Sequence, residues 1–246
     1  MNSFNKEKHE YLIDGVRATG VTSVIGVLAK PALIGWAARM AVETLGKAIE
    51  SYRIDDENYK FTYEQRDTFL EAAKSAHAQK RDKAAEHGTD THSLVESYIN
   101  LCLVKEGKPV QPVATNTDIQ KFIGWAVDNV DHFLFSERQM YNPELFIAGT
   151  ADFAAVMKDG KRLIGDFKTS GGVYGIDYFL QVAAYRLLAE SEGDDAYDGS
   201  VIVRLGKDGS FDIHYRYDYE TDKNAFLACL TIYRAQDTFK SRNKNK

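Results

Sequence analysis

The chain has 246 residues, of which 44% are hydrophobic and 27% charged, an ordinary composition for a soluble globular protein. Its 31 basic and 36 acidic residues give a net charge of −5, which disfavours a protein that coats nucleic acid by bulk charge. Only two cysteines occur, Cys102 and Cys229, so a disulfide scaffold, an all-cysteine zinc site and a four-cysteine iron–sulfur cluster are excluded. No apolar run approaches the ~20 residues of a membrane-spanning helix, and the first residues lack a secretory signal. We therefore expect a cytoplasmic protein without a membrane partner.

The first 132 residues are expected to be mostly helical. After a short strand at Tyr11–Ile13, Pro31 suits the first turn of a helix, where its missing N–H costs nothing. Gly88 interrupts a long, charge-rich segment, which predicts a break in the helix there. The polar segments 51–63 and 107–116 are predicted to be connectors. From apolar residues that recur every three to four positions, helices are expected at about 31–50, 64–85, 91–104 and 116–132.

After residue 132 the hydrophobic period changes from about 3.6 residues to about 2, which indicates strands. Strands are expected at 136–141, 145–157, 162–168, 200–206 and 210–218, and helices at 176–191 and 220–240. This order predicts an α/β or α+β fold with a central mixed sheet. The helical first 130 residues either cap that sheet or form a subdomain on it.

Charged residues interrupt two of the apolar strands. Asp152 lies among apolar residues, and Asp166 and Lys168 lie two residues apart on the next strand, so these two share one face of it. An aspartate in an apolar strand is costly unless it is paired or binds a cation. A three-residue loop at 159–161 would set Asp152 opposite Lys168 and on the face of Asp166, whereas a two-residue loop would separate the two aspartates. From these residues alone, a cation site and a structural salt bridge both remain open.

Two pairs of polar residues have the i, i+4 spacing that puts both side chains on one helix face. His92 and Glu96 form the first pair. Gln181 and Tyr185 form the second, on the helix that follows Lys168. Polar residues like those of either pair, taken alone, are more often exposed to solvent or hydrogen-bonded within the core. The pairs become informative only as parts of an ordered series along the chain. That series is histidine, then aspartate, then aspartate with lysine, then glutamine with tyrosine.

That series resembles the PD-(D/E)XK nuclease superfamily, and within it the RecB-like branch. The branch carries G-x-x-x-H-x-x-x-E on a helix, then G-x-x-D, D-x-K and Q-x-x-x-Y. The matching segments here are Gly88–Glu96, Gly149–Asp152, Asp166–Lys168 and Gln181–Tyr185. The motif-bearing part covers about 84–206, and the segment TGVTSVIGVLAKPALIGWA also resembles the leading segment of phage and prophage members. The resemblance implies a restriction-endonuclease-like core, with a central mixed β-sheet flanked by helices and an N-terminal helical region.

The resemblance also implies a domain plan. A single nuclease domain is expected over 1–246, with a mostly helical cap at 1–83, the core at 84–240 and a basic tail at 241–246. Iron–sulfur members of the branch carry four cysteines, and this chain has two, so no cluster is expected. No helicase motif is present, so the domain is expected to be a free-standing nuclease.

By the same resemblance, the site is a metal centre for phosphodiester hydrolysis. Asp152 and Asp166 would bind Mg²⁺ or Mn²⁺, with His92 and the carbonyl of Phe167 as further ligands. Hard cations prefer oxygen ligands, and an imidazole ligand shifts the preference toward Mn²⁺. Lys168 would orient the attacking water and offset charge in the transition state.

The remaining motif residues are expected to support this centre. Gln181 and Tyr185 would position Lys168 and the phosphate from the helix, because neither an amide nor a phenol competes well with carboxylates for Mg²⁺. Glu96 is either a partner of His92 or part of the helix surface. Glu137, one strand before Asp152, matches an acidic position that is frequent in the branch, but an exposed strand residue explains it equally well.

The resemblance implies an exonuclease of phage or bacterial DNA recombination and repair, acting on single- or double-stranded DNA in the host cytoplasm. A single-strand annealing or binding protein is the partner expected for such an enzyme. Two alternatives stay open, namely a structure-specific endonuclease of the same fold and a non-catalytic nuclease-fold DNA-binding module.

Overall fold

The structure, a computed structural model, describes residues 1–55, 58–111 and 119–244, with the backbone alone at 84–89 and 241–244. Its strands are β1 (Ser3–Asn5), β2 (Glu10–Ile13), β3 (Val16–Arg17), β4 (Thr19–Gly20), β5 (Val130–Asn142), β6 (Ile147–Met157), β7 (Arg162–Lys168), β8 (Gly199–Leu205) and β9 (Phe211–Arg216). Its helices are α1 (Val21–Ile25), α2 (Pro31–Glu50), α3 (Tyr63–Leu103), α4 (Gln120–Asn129), α5 (Asp177–Ser191) and α6 (Tyr219–Lys244).

The chain divides into two compact units. The larger comprises Met1–Leu28 with Thr91–Lys246, and the smaller comprises Ala29–Asp90. The larger unit contains the mixed sheet, whose strands run in the order β4, β6, β7, β8 and β9, with β5 paired to β6. Two pairs are parallel, β4 with β6 and β7 with β8, and the others are antiparallel. The fold is therefore α+β with a mixed central sheet, as the sequence predicts.

Helices cover both faces of this sheet because its strands are apolar on both sides. One core contains residues of α3 and α4 packed on side chains such as Phe153 and Phe167. The other contains residues of α1, α5 and α6 packed on side chains such as Ala154 and Ile164. Alternation along β6 and β7 therefore turns Asp152 and Asp166 toward the face that α5 covers.

The turn between β6 and β7 fixes which residues meet across the two strands. Val156 pairs with Arg162, and Met157 donates a backbone hydrogen bond to the carbonyl of Lys161 at 2.8 Å. The three-residue loop is therefore 158–160, one residue earlier than the expected 159–161, with Gly160 at φ +88°. Continuing this register sets Asp152 opposite Asp166 rather than opposite Lys168. The two aspartates nevertheless share a face, as a three-residue loop requires.

Several predicted boundaries in the N-terminal half are wrong. Residues 3–20 form four short strands where only one was expected, because two- and three-residue strands are too short to display a period. Gly88 lies within the continuous helix α3. A glycine costs a helix about 1 kcal/mol but keeps its backbone N–H, so a long helix can tolerate it. Residues 130–132 belong to β5 rather than to the preceding helix. Residues 112–118, and the side chains of the predicted basic tail, lie outside the described residues.

The smaller unit is built from α2 and the first part of α3. The ring of Phe69 packs against those of Tyr52 and Phe61, with centroids 5.3 and 5.5 Å apart. No residue of α2 is fully buried, although one side of that helix is half-buried. Within the described part of the chain, no helix combines bilayer-spanning length with a sufficiently apolar sequence.

Candidate metal centre

Three neighbouring strands each contribute one carboxylate at the same level of the sheet. Glu137 on β5 and Asp152 on β6 lie between the paired residues Ser136–Phe153 and Arg138–Ala151. Asp166 on β7 follows the pair Phe153–Gly165, so it continues the row. Glu137 has a positive φ of +47°, an uncommon backbone conformation for a residue other than glycine. Like charges set opposite each other destabilise a sheet, so this row requires compensation.

The aspartates lie where β6 and β7 stop pairing, because Phe153 and Gly165 are the last paired residues before the strands separate. Separation leaves a backbone N–H of β7 without its usual partner. The N–H of Phe167 instead donates to Asp152 Oδ2 at 2.6 Å. This hydrogen bond satisfies a buried backbone donor and fixes the orientation of the Asp152 carboxylate.

α3 brings a histidine to the same point. His92 Nδ1 lies 3.8 Å from Asp152 Oδ2, and the His92 ring stands edge-on to the ring of Phe167 at 5.9 Å. Burial lowers the pKa of His92, so its imidazole is neutral near pH 7 and can offer a lone pair to a metal. One potential ligand atom from each of His92, Glu137 and Asp152 lies within 4.8 Å of the other two.

Asp166 faces the same space from the side of β7. Its side chain is only 2% exposed and forms an ion pair with the Lys168 ammonium. That ion pair joins the Lys168 ammonium to the buried Oδ2 of Asp166. A carboxylate has several lone pairs, so Asp166 could contact a bound cation as well as Lys168.

A chain of hydrogen bonds links Lys168 to α5. The Lys168 ammonium donates to Gln181 Oε1 at 3.2 Å, and Gln181 Nε2 donates to the hydroxyl of Tyr185 at 2.7 Å. The Lys168 Nζ atom also lies 5.4 Å from the centre of the Tyr178 ring. Gln181 and Tyr185 are both buried, so these contacts fix where the lysine side chain points.

Gly149 makes room for this chain of contacts. A Cβ atom at position 149 would lie 2.7 Å from Cε1 of Tyr185 and 3.1 Å from Cγ2 of Val21. A Cβ contact of 2.7 Å essentially never occurs in proteins, so the Tyr185 ring can occupy its position only because residue 149 is glycine. Gly149, three residues before Asp152, thus affects the site by leaving room for the Tyr185 ring.

The pKa values of the charged groups in the site are shifted in ways that favour a bound cation. Burial, and then the charge of Asp166, raises the pKa of Asp152 well above its usual value. Burial and the charges of Glu96 and Asp166 raise the pKa of Glu137 to about 7. Burial disfavours the Lys168 ammonium, but the charges of Asp166 and Asp152 outweigh it and raise its pKa. Burial is the larger cause of each carboxyl pKa shift and neighbouring negative charge is the second, and a divalent cation would offset that charge.

The residues present fit a divalent cation with octahedral preference. Carboxylates of Glu137, Asp152 and Asp166 and the neutral imidazole of His92 are the ligand types that Mg²⁺ and Mn²⁺ accept. Opposite ligands of Mg²⁺ are about 4.2 Å apart, so the 4.8 Å cluster needs only small side-chain rotations to close on an ion.

The structure brings together residues that are far apart in the sequence. It sets His92 beside Asp152 and brings the charge of Asp166 close to both. Lys168 pairs with Asp166, and Gln181 and Tyr185 follow in a chain of hydrogen bonds. The backbone carbonyl of Phe167 lies beside the His92 ring and favours its charged form. Glu96 lies close enough to Glu137 to raise the pKa of that carboxyl.

Two residues have a larger place in the site than the sequence indicated. Glu137, which could equally have been an exposed strand residue, contributes a ligand atom to the cluster. Tyr178 carries no motif signal, yet its ring contacts Lys168. Its position three residues before Gln181, on the same helix face, is the only sequence feature that relates it to the site.

Comparison with known proteins does not identify a family. No protein-family model matches the sequence, and no curated protein matches it. Among 21 chains of solved structures that match, the one described as "Crystal structure of SSO0001" is 17% identical. The alignment covers 79% of this chain and 86% of that chain, with a TM-score of 0.35. A likeness at this level carries no statement about activity, so function is argued from the residues of this chain.

Proposed function

We propose that this protein is a divalent-metal-dependent nuclease that hydrolyses phosphodiester bonds in DNA. The observation that carries the proposal is the juxtaposition of four potential metal ligands with one half-buried lysine. Ligand atoms of His92, Glu137 and Asp152 lie within 4.8 Å of one another. Asp166, whose charge acts on both Asp152 and His92, is paired with Lys168. A purely structural salt bridge would need one aspartate and the lysine, and it would leave the row of three carboxylates unexplained.

In this proposal Asp152, Asp166, His92 and Glu137 hold Mg²⁺ or Mn²⁺. When bound, the ion supplies an activated water and a Lewis acid for the phosphate. Lys168 remains charged because of its carboxylate neighbours, so its ammonium can face a phosphate oxygen and offset developing charge. Gln181 holds that ammonium at 3.2 Å, and Tyr185 holds Gln181. Gln181 and Tyr185 thus fix the direction of the Lys168 ammonium through two successive hydrogen bonds.

The proposal extends to substrate and setting. An exonuclease of phage or bacterial recombination and repair is the activity that the sequence resemblance favours, with a single-strand annealing or binding protein as partner. We infer a reducing bacterial or phage-infected cytoplasm, where the buried thiols of Cys102 and Cys229 would stay free.

The proposal is tested with end-labelled linear DNA and with closed circular DNA, each incubated with Mg²⁺, Mn²⁺ or EDTA. We expect cleavage with either ion and none in EDTA. Asp166→Ala and Lys168→Ala should each reduce cleavage by about 10²-fold or more, as expected for groups that stabilise the transition state. Asp159→Ala and Lys161→Ala change a similar but exposed pair on the β6–β7 loop and should cleave normally.

Circular dichroism of each variant shows whether its fold is retained. Near-normal cleavage by a folded Asp166→Ala or Lys168→Ala variant would overturn the assignment. Degradation of linear but not circular DNA identifies an exonuclease, and cleavage of both identifies an endonuclease. Metal binding without any cleavage would favour a non-catalytic module.

A further inference from the structure

The loop that follows Lys168 is held in place at several points. Arg204 Nη1 donates to the backbone carbonyl of Ser170 at 3.2 Å. The Ser170 hydroxyl donates to the carbonyl of Gly172 at 2.9 Å and lies 3.4 Å from the Tyr178 hydroxyl. Because the ring of Tyr178 also contacts Lys168, the loop is connected directly to the proposed reaction centre.

This loop presents one aromatic side chain to solvent. Tyr174 is 76% exposed, although its ring packs on the backbone of two glycines. A Cβ atom at Gly172 would lie 2.8 Å from Cε1 of Tyr174, and one at Gly171 would lie 2.9 Å from its hydroxyl oxygen. Glycine at positions 171 and 172 leaves room for the ring to lie against the loop, and most of its surface remains free to meet a ligand.

Tyr174 also follows Lys168 closely along the chain. Six residue steps separate it from Lys168, and an extended chain of that length spans at most about 20 Å. Stacked bases in a strand are about 3.4 Å apart. Tyr174 therefore lies within about six nucleotides of a phosphate held beside Lys168.

We propose that Tyr174 is a base-stacking residue that binds an unpaired base of the substrate strand near the scissile phosphate. This inference rests on the proposed nuclease function and deepens it, because it assigns single-stranded or frayed DNA as the substrate class. The faces of bases inside a duplex are covered by their neighbours, whereas an unpaired base can leave its stack and lie on an aromatic ring. Stacking is tolerant of sequence, so no base preference follows.

The experiment measures binding of a single-stranded oligonucleotide that contains the fluorescent base 2-aminopurine, in Ca²⁺ so that the strand stays intact. Tyr174→Leu keeps an apolar side chain but removes the ring, and Tyr174→Phe keeps the ring. Tyr63→Leu is the matched control, because Tyr63 is 80% exposed and lies in the smaller unit.

We expect Tyr174→Leu to raise Kd by about 5- to 100-fold and to abolish the fluorescence change on binding, as loss of one stacked base predicts. Tyr174→Phe and Tyr63→Leu should bind within about twofold of the wild type, since stacking needs only the ring. Duplex DNA of the same sequence should bind equally to all four proteins.

Three results would overturn the inference: an unchanged Kd for Tyr174→Leu, an equal loss in Tyr174→Phe, or an equal loss on duplex DNA. The proposed nuclease function is tested separately by wild-type hydrolysis of bis(4-nitrophenyl) phosphate with Mn²⁺, because that substrate has no base to stack. Hydrolysis of this substrate together with an unchanged Kd would reject the stacking role alone. Absence of hydrolysis by the wild type would reject the nuclease function.

Discussion

Lys168 is the residue whose surroundings say most about the chemistry of the site. It is held by an acidic partner on its own strand, Asp166, and by an amide acceptor on α5, Gln181. The carboxylate keeps the lysine charged, whereas the amide only orients it. Loss of the two partners should therefore have different consequences, and the amide can be tested alone.

Gln181→Ala is expected to reduce turnover by about 10- to 100-fold while leaving the metal affinity near that of the wild type, as for other groups that orient a site without touching the ion. The Lys168 ammonium would lose the acceptor at 3.2 Å that fixes its direction. Cleavage rates and calorimetric Mn²⁺ titration measure the two effects. Gln79→Ala, on an exposed face of α3, is the matched control. Equal turnover in both variants would contradict the positioning role.

Glu137 makes the metal-free protein sensitive to pH. Its pKa is raised to about 7 by burial and by neighbouring carboxylates, so its folded-state pKa exceeds its unfolded value. Protonated Glu137 therefore contributes to the free energy of unfolding. This contribution is complete below the ordinary glutamate pKa of about 4.3, and it is lost as pH rises through about 7.

Glu137→Gln should therefore raise the melting temperature of the metal-free protein at pH 8 and change it little at pH 5. Thermal unfolding in EDTA at both values measures this difference. With saturating Mn²⁺ at pH 8 the sign should reverse, because the variant has lost a ligand atom. Glu144→Gln, on the exposed turn after β5, should be neutral at both pH values. A uniform shift across pH would contradict the role of this carboxyl.

Packing between β6 and α5 is the feature of the secondary structure on which the site depends. The two elements approach closely at Gly149, where the Tyr185 ring fills the space of a missing side chain. An alanine there must displace the ring, the backbone or Val21 of α1. A displaced Tyr185 would shift Gln181, to which it is hydrogen-bonded, and Gln181 in turn would shift the Lys168 ammonium.

Gly149→Ala is expected to lower the free energy of unfolding by roughly 1–3 kcal/mol, the cost of overpacking, and to reduce turnover as well. Gly124→Ala is the matched control, because no atom of the described residues lies within 4 Å of a Cβ at that exposed position of α4. The control should stabilise the protein by about 0.5–1 kcal/mol, since alanine suits a helix interior better than glycine. Denaturant unfolding compares the two. Equal stabilisation by both substitutions would refute the close contact.

At the scale of the whole molecule, metal binding should be linked to folding and to proton release. The larger unit gathers its ligands from α3, β5, β6 and β7, so the metal site exists only when those elements are assembled. The raised pKa values of Asp152 and Glu137 mean that an arriving cation competes with protons for these carboxyls.

Mn²⁺ at 100 times its Kd should stabilise the protein by about 2.7 kcal/mol, which for a chain of this size is roughly 5–10 °C in melting temperature. Titration in a weakly buffered solution at pH 6.5 should show protons released on binding. Asp152→Asn should lose both effects, and Asp128→Asn, on α4, should retain them. A melting temperature that Mn²⁺ does not change would exclude this metal site.

The strand and helix pattern after residue 132 was evident in the sequence because each element is long enough to display its period. The range 162–168 predicted for β7 is the observed one, and α5 begins one residue later than predicted. The face shared by Asp166 and Lys168 follows from their spacing alone. The four short strands before residue 21 were largely missed, because β4 owes its existence to pairing with β6, more than a hundred residues away.

The tertiary structure alone decided how the site is assembled. Glu137 reaches the cluster because a strand register and a positive φ set it beside Asp152, and neither feature leaves a periodic signal in the sequence. His92 lies sixty positions before Asp152, so only packing of α3 could bring it to the sheet. The sequence by itself determined which residue types could bind a cation. The register, and the point where β6 and β7 separate, decided that they meet, because ligand geometry depends on distances between elements that local spacing does not fix.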